Sequence, residues 1–150
     1  MNDLEIRPAS ADDLPEIVAM LADDPLGARR ESPHDLTPYT AAFELLTRDP
    51  QQRLAVAVRE NRVVGTLQLT FVPGLSRRGA TRAIIEGVRV HADERGSGLG
   101  TVLIEWAVEE ARRQECLLVQ LTSDVSRTDA HRFYERLGFE PSHIGFKLQL

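Results

Sequence analysis

The chain has one cysteine, Cys116, so no disulfide can form within it. That fits a reducing compartment, and the cytoplasm is the expected location. No apolar run approaches the ~18 residues that a membrane-spanning helix requires. The first residues, Met1-Asn2-Asp3-Leu4-Glu5, are acidic and do not read as a secretory signal. An excess of positive charge is also missing. The net charge is −5, which argues against a general affinity for nucleic acid backbones. Lys147 is the only lysine, and the remaining basic residues are arginines, a compositional bias without a functional reading. The four histidines, His34, His91, His131 and His143, show no metal-ligand spacing with cysteine or carboxylates. There is no repeat, linker or low-complexity segment. What is there is 150 residues, 42% hydrophobic and 27% charged, expected to form one domain over residues 1–150 with a real core.

Hydrophobic periodicity predicts an alternation of strands and helices. Residues 4–7 read as a first strand. Ser10 with Asp13 resembles a capping box, opening a helix with Leu14, Ile17, Val18 and Leu21 on one face. A polar loop, with room for a helical turn, runs to Asp35. Thr37-Pro38 opens a second helix that stops before Pro50. Residues 54–59 and 63–71 form a hairpin about Glu60-Asn61-Arg62, and 73–79 is a loop. A strand over 82–90 leads into a helix over about 98–115, which should bury Val102, Leu103, Trp106, Ala107 and Val108. A central strand at 117–121 follows. A helix capped by Thr128 or Asp129 ends at Leu137, with Gly138 as its C′ residue. A last strand covers 144–150. The result is a mixed α+β chain with a mixed sheet covered by helices.

The most informative stretch joins the strand ending Ile85-Glu86-Gly87-Val88-Arg89-Val90 to Arg95-Gly96-Ser97-Gly98-Leu99-Gly100 and the helix that begins there. Glycines bring main-chain N–H groups close to a ligand, and a helix start adds unpaired donors and a positive dipole end. That is an anion site. A Walker loop is excluded, since no lysine follows Gly100, and a dinucleotide fingerprint has a different glycine spacing. The surviving pattern is Arg/Gln-x-x-Gly-x-Gly/Ala, met by Arg95, Gly98 and Gly100. Near the C-terminus, Ala130-His131-Arg132-Phe133-Tyr134-Glu135-Arg136-Leu137-Gly138-Phe139 matches Ala-x-x-Phe-Tyr-x-x-x-Gly-Phe. With both segments in this order, the chain resembles the GNAT family of acetyl-CoA-dependent N-acetyltransferases over about residues 4–150, and specifically in these two segments.

The resemblance implies a GNAT-like fold: a mixed, mainly antiparallel sheet flanked by helices on both faces and splayed between its fourth and fifth strands. It implies acetyl-CoA as cofactor, with the diphosphate held by Arg95, Gly96, Ser97, Gly98, Leu99, Gly100 and Thr101, and the pantetheine arm paired to Val88, Arg89 and Val90. Ala130, Phe133 and Tyr134 belong to the same cofactor site. Many family members carry asparagine where this chain has Arg127, which puts that cofactor contact in doubt, although an arginine can reach a phosphate. The N–H of Val88 is the candidate oxyanion donor. Glu86 is either a general base acting through water or a structural sheet glutamate. Tyr134 is either the acid that protonates the departing thiolate or a packed aromatic. Cys116 and Trp106 read as packing residues, His91 as a turn residue and His131 as exposed. His34 and His143 fall in loops that could border the acceptor.

Acceptor recognition is expected from residues 25–35, 73–81 and the segment before Ile144. Asp23, Asp24 and Glu31 either attract a cationic amine or form a solvated acidic loop. The activity implied is acetyl transfer to a primary amine of a small molecule or peptide by direct attack. A protein lysine or N-terminal acetyltransferase uses the same machinery. A non-catalytic acyl-CoA-binding sensor or interaction module is the alternative of a different class, and retention of Glu86 and Tyr134 argues against it. A homodimer rests on the resemblance alone.

Overall fold

The strands carry apolar residues on both faces, so they must be covered from both sides. Ala55, Val56 and Ala57 are consecutive and all fully buried, although neighbouring strand residues point to opposite faces. In the computed structural model, which describes residues 3–150, five strands form one sheet in chain order. They are β1 (Glu5–Pro8), β2 (Gln52–Arg59), β3 (Arg62–Pro73), β4 (Thr81–Val90) and β5 (Leu118–Leu121). The first four pair antiparallel and β5 joins β4 in parallel. Glu60 and Asn61 close the β2–β3 hairpin, both with left-handed φ of 51° and 63°. That geometry matches the twist of the flanking strands. The parallel pair needs a crossover, and a helix provides it.

That helix is the fourth of five: α1 (Leu14–Ala22), α2 (Gly27–Arg30), α3 (Thr37–Arg48), α4 (Leu99–Arg113) and α5 (Thr128–Arg136). Leu99, Leu103, Ile104, Ala107 and Ala111 of α4 pack on Leu67, Leu69, Phe71, Ala83 and Ile85. Burying a leucine as completely as Leu103 is worth about 1.5–3 kcal/mol. On α1, Leu14, Ile17, Val18 and Met20 are buried outside that cluster. A short 3-10 turn (Ala11–Asp13) leads into α1, and the Asp13 carboxylate accepts the Ser10 N–H at 2.7 Å, as the capping pattern anticipates.

Two expectations need correction. Val102 is not a core residue: it is 38% exposed, and Ile104 takes the buried place on α4. The polar loop after Asp24 contains the single turn α2, the helical turn for which its reading left room, and the loop at 73–79 includes a tight turn over 76–79 with Arg77 and Arg78 at φ 56° and 62°. The last strand does not form. Ile144, Phe146, Leu148 and Leu150 alternate as strand residues do, yet they are 80%, 91%, 86% and 117% exposed. A strand needs a hydrogen-bonded neighbour. Among the described residues, 143–150 make no backbone hydrogen bond, and β5 ends the sheet.

Two irregularities open the sheet at one point. β4 pairs with β5 only through Arg82–Ile85, so the strands part beyond Ile85. In the same place the β3–β4 register slips: Thr66 faces Arg89 and Gln68 faces Glu86, leaving Gly87 and Val88 opposite Leu67 alone. This is a β-bulge, and Gly87 supplies the left-handed φ of 62° that it uses.

Candidate active site

The gap where β4 and β5 part is a cavity of about 80 Å³. Glu86, Val88, Arg89, Thr122, Arg127 and Tyr134 are among the residues that line it. Three of these come from the bulged strand, one from the end of β5 and two from the segment around α5. Residues far apart in sequence therefore meet because one parallel pairing stops early.

The bulge displaces residues from the ladder, and its extra residue is left without a cross-strand partner. Gly87 and Val88 are the two residues that lie opposite Leu67, and both line the cavity. Glu86, in register with Gln68 just before the bulge, is exposed and borders the cavity. Tyr134 is half-buried and held by aromatic edges: its ring lies 5.2 Å from that of Phe133 and 5.9 Å from that of Phe139. Burial pushes its phenol above the ordinary tyrosine value, while the guanidiniums of Arg89 and Arg127 pull the other way. The hydroxyl therefore keeps its proton at neutral pH.

The glycine loop has the backbone geometry of an anion cradle. Gly96 and Gly98 are left-handed at φ 84° and 86°, and a Cβ at either would meet nothing within 4 Å. They are needed for conformation, and they leave the approach to the helix start open. Gly98 caps α4, so the N–H groups of Leu99, Gly100 and Thr101 lie in its first turn, where no helical acceptor exists. At Gly100 the demand is steric: a Cβ would lie 3.3 Å from the Phe133 ring. These features fit the diphosphate of a nucleotide carrier. Ser97 is tied back to the Glu94 carbonyl through its hydroxyl, and Arg95 reaches Asp23 at 3.2 Å in an exposed pair worth about 0–1 kcal/mol, weak enough to give way to an anion.

The acidic residues expected to draw in a cationic amine are all engaged. Asp23 faces Arg95, Glu31 accepts the Tyr39 hydroxyl at 2.8 Å, and Asp24 lies 2.6 Å from Arg127 and 3.5 Å from Arg89. Burial raises the Asp24 pKa, but the Gly27 N–H and the two guanidiniums outweigh it and hold the carboxyl below the ordinary range. Arg127 thus points at Asp24. Sequence reasoning misses this trio, whose one signal is an arginine where the resemblance leads one to expect asparagine.

Of the histidines, His91 caps a short turn by accepting the Asp93 N–H, and His131 is half-buried with Nε2 2.8 Å from the Asp124 carbonyl. Neither His34 nor His143 lines the cavity, nor does the 73–81 segment. Burial raises the Cys116 thiol, as suits a packing residue, and Trp106 is half-buried beside the core. A wider groove of about 630 Å³ beside α1 contains none of the candidate catalytic residues. No helix among the described residues is long and apolar enough to cross a membrane.

Known proteins resemble this chain in sequence and fold. Residues 14–139 match the Acetyltransferase (GNAT) family. The aminoalkylphosphonate N-acetyltransferase of Salmonella typhimurium is 31% identical over 95% of this chain and 88% of its own. The L-methionine sulfoximine/L-methionine sulfone acetyltransferase of Pseudomonas aeruginosa is 28% identical over 91% of this chain and 80% of its own. A crystal structure described as a transcriptional regulator from Bacillus halodurans superposes with a TM-score of 0.95 at 46% identity, covering 98% of this chain and 99% of that one.

Proposed function

The chain belongs to the acetyltransferase (GNAT) family, and from that membership we propose that it transfers the acetyl group of acetyl-CoA to a primary amine of a small molecule. The observation that carries the reading is the cavity at the end of the β4–β5 pairing, which Glu86, Val88 of the bulge and Tyr134 all line. Direct acyl transfer needs a base, an oxyanion donor and an acid. The relatives named for aminoalkylphosphonate and methionine sulfoximine act on small amines, which supports a small-molecule acceptor here.

Acetyl-CoA supplies an acetyl thioester. The main-chain N–H groups from Gly96 to Thr101 take the diphosphate, with Arg95 swinging from Asp23 to add charge. The peptide groups of Val88, Arg89 and Val90 align the pantetheine arm, and Ala130 and Phe133 pack beside it. Glu86 removes the proton from the amine through water. The Val88 N–H donates to the developing oxyanion. The Tyr134 hydroxyl donates its proton to the leaving sulfur.

The test is a panel of primary amines with release of free thiol as readout. Turnover with at least one small amine supports the reading, and binding of acetyl-CoA without turnover on any amine overturns it. One observation favours the second, non-catalytic reading: the similar Bacillus halodurans protein is described as a transcriptional regulator. Binding without thiol release is the outcome that reading requires.

We also read the chain as a homodimer. The exposed alternating tail and the edge of β5, unpartnered among the described residues, support a second copy whose tail adds to that edge.

A further inference from the structure

Two arginines, Arg89 and Arg127, are among the residues that line the cavity, and the Asp24 carboxylate contacts both. Asp24 Oδ2 is 2.6 Å from Arg127 Nη2 and 3.5 Å from Arg89 Nη2, while Asp24 Oδ1 already accepts the Gly27 N–H. Two arginines therefore share one oxygen of one acid. Arg89 is mostly buried, and its Nη1 donates to the Val88 carbonyl at 2.9 Å. Its Nε is shielded from solvent with no hydrogen-bond partner among the described residues. A buried charged donor left unpaired costs about 1–3 kcal/mol or more. Such a vacancy beside a cavity is what an anionic ligand group would fill.

Position separates this pair from the cofactor cradle. Val88 and Val90 pack against the cluster on the α4 face of the sheet. Arg89 lies between them in a strand, so its side chain projects to the opposite face, where it meets the segment after α1. The glycine loop is at the start of α4. Other groups near the pair do not cancel it. Glu31 is committed to Tyr39, and Asp124 faces Arg30 at 3.9 Å. Glu86 lines the same cavity, and it is the base in the proposed transfer.

We propose that Arg89 and Arg127, held by Asp24, form an oxyanion subsite that selects acceptors bearing a phosphonate, phosphate or carboxylate beside the amine. The inference rests on the acetyltransferase reading and names its acceptor class. The cavity is then polarised, with Glu86 for the amine and the guanidinium pair for the anion. It suits a small zwitterion. Guanidiniums favour oxyanions because their N–H groups form paired, charge-assisted hydrogen bonds.

The test compares amines that share an aminoethyl unit: 2-aminoethylphosphonate, ethanolamine phosphate, β-alanine and propylamine, the last of which carries no anionic group. The expected result is a kcat/KM at least a hundredfold higher for one or more of the anionic amines than for propylamine. In Arg127→Gln that ratio falls at least tenfold, and Arg89→Lys lowers it at least threefold, with both variants melting within a few degrees of the parent. The order among the three anions identifies the preferred source of the oxyanion. Equal use of propylamine overturns the subsite, as does a variant that raises the KM for acetyl-CoA and leaves the ratio untouched. If no amine is acetylated, calorimetry with the same compounds in the presence of coenzyme A decides. Anionic compounds binding at least tenfold tighter than propylamine to the parent, with the difference lost in Arg127→Gln, uphold the subsite although the acetyltransferase reading has failed. Equal binding overturns it.

Discussion

Gly100 lies against the ring of Phe133, so that a Cβ at position 100 would sit 3.3 Å from Cζ. The two sequence segments that carry the family resemblance thus touch, the first turn of α4 against α5. An alanine at Gly100 gains helix propensity of up to ~1 kcal/mol but presses on the ring, which must yield by a few tenths of an ångström. Gly100→Ala should therefore stay within about 1 kcal/mol of the parent in urea unfolding. Gly100→Val overpacks the same contact and should lose about 1–3 kcal/mol. Acetyl-CoA affinity by calorimetry should fall at least tenfold for Gly100→Val. Undiminished affinity would mean that the α4–α5 contact does not shape the cradle.

Gly98 presents the opposite case. Nothing lies within 4 Å of a Cβ built there, yet its φ is 86°. The cost of substitution is conformational, and it depends on how well the new residue tolerates the left-handed region. Gly98→Val should cost about 1–3 kcal/mol and abolish measurable acetyl-CoA binding. Gly98→Asn should keep binding within about tenfold of the parent, because asparagine enters that region readily. Equal losses in the two variants would show that open space and not backbone conformation is what the ligand requires.

Tyr134 tests the chemistry. A general acid contributes about 10²–10⁴-fold, so Tyr134→Phe should lower kcat by at least a hundredfold with little change in acetyl-CoA affinity. Burial raises the phenol above its ordinary value of about 10. The protonated, acid-competent form then persists through the neutral and mildly alkaline range. The parent should show no alkaline fall in kcat from this group until beyond pH ~10. A fall centred near pH 8 that vanishes in Tyr134→Phe would contradict the assignment of the raised pKa to this phenol.

The strands, the main helices and the glycine loop can be read from sequence because periodicity and glycine spacing are local properties. Glu86, Val88 and Tyr134 can be placed at one site only through the resemblance, since the early end of the β4–β5 pairing is a tertiary event. Asp24 and Arg127 are 103 positions apart, and no local pattern announces their pairing. The acidic residues after α1 look free in sequence because it shows charges without their partners. Val102 is misplaced by an apolar stripe wider than the buried face of α4. The tail from Ile144 has the alternation of a strand, but alternation states a preference for two environments and cannot supply the neighbour.

Asp13 links the first strand to α1. It is buried, takes two hydrogen bonds from Arg7 at 2.8 and 3.0 Å, and accepts the Ser10 N–H. The hydrogen bonds from Arg7 outweigh burial and hold the carboxyl below its ordinary value. A depressed folded pKa contributes stability that is present above the unfolded value of about 3.9 and is lost as pH falls through the folded one. Arg7 is about a third exposed, which discounts the pair, and Asp13→Asn should cost about 1–3 kcal/mol at pH 7. Thermal melts of parent and variant should converge as pH falls below the ordinary carboxylate range and through the lowered folded value of Asp13, where the parent carboxyl is itself protonated. A gap independent of pH would assign the loss to packing and not to the charge.

The tail gives a prediction about assembly. Phe146 and Leu148 are 91% and 86% exposed, and β5 offers an open edge whose residues are half-buried. Gly145 passes close to Thr122 at the end of β5, with a Cβ there 3.7 Å from the threonine methyl, so the tail leaves from beside the edge it could extend. Apolar residues on an unpaired strand favour pairing with another chain, since that satisfies main-chain donors and covers the side chains together. The parent should sediment as a dimer at micromolar concentration. Phe146→Asp with Leu148→Asp should yield a monomer, because charges on alternate tail residues disfavour burial against a second copy. Backbone hydrogen exchange at residues 118–121 should accelerate in that variant as the edge loses its cover. A parent that sediments as a monomer, with those amides already in fast exchange, would leave the tail without a partner chain.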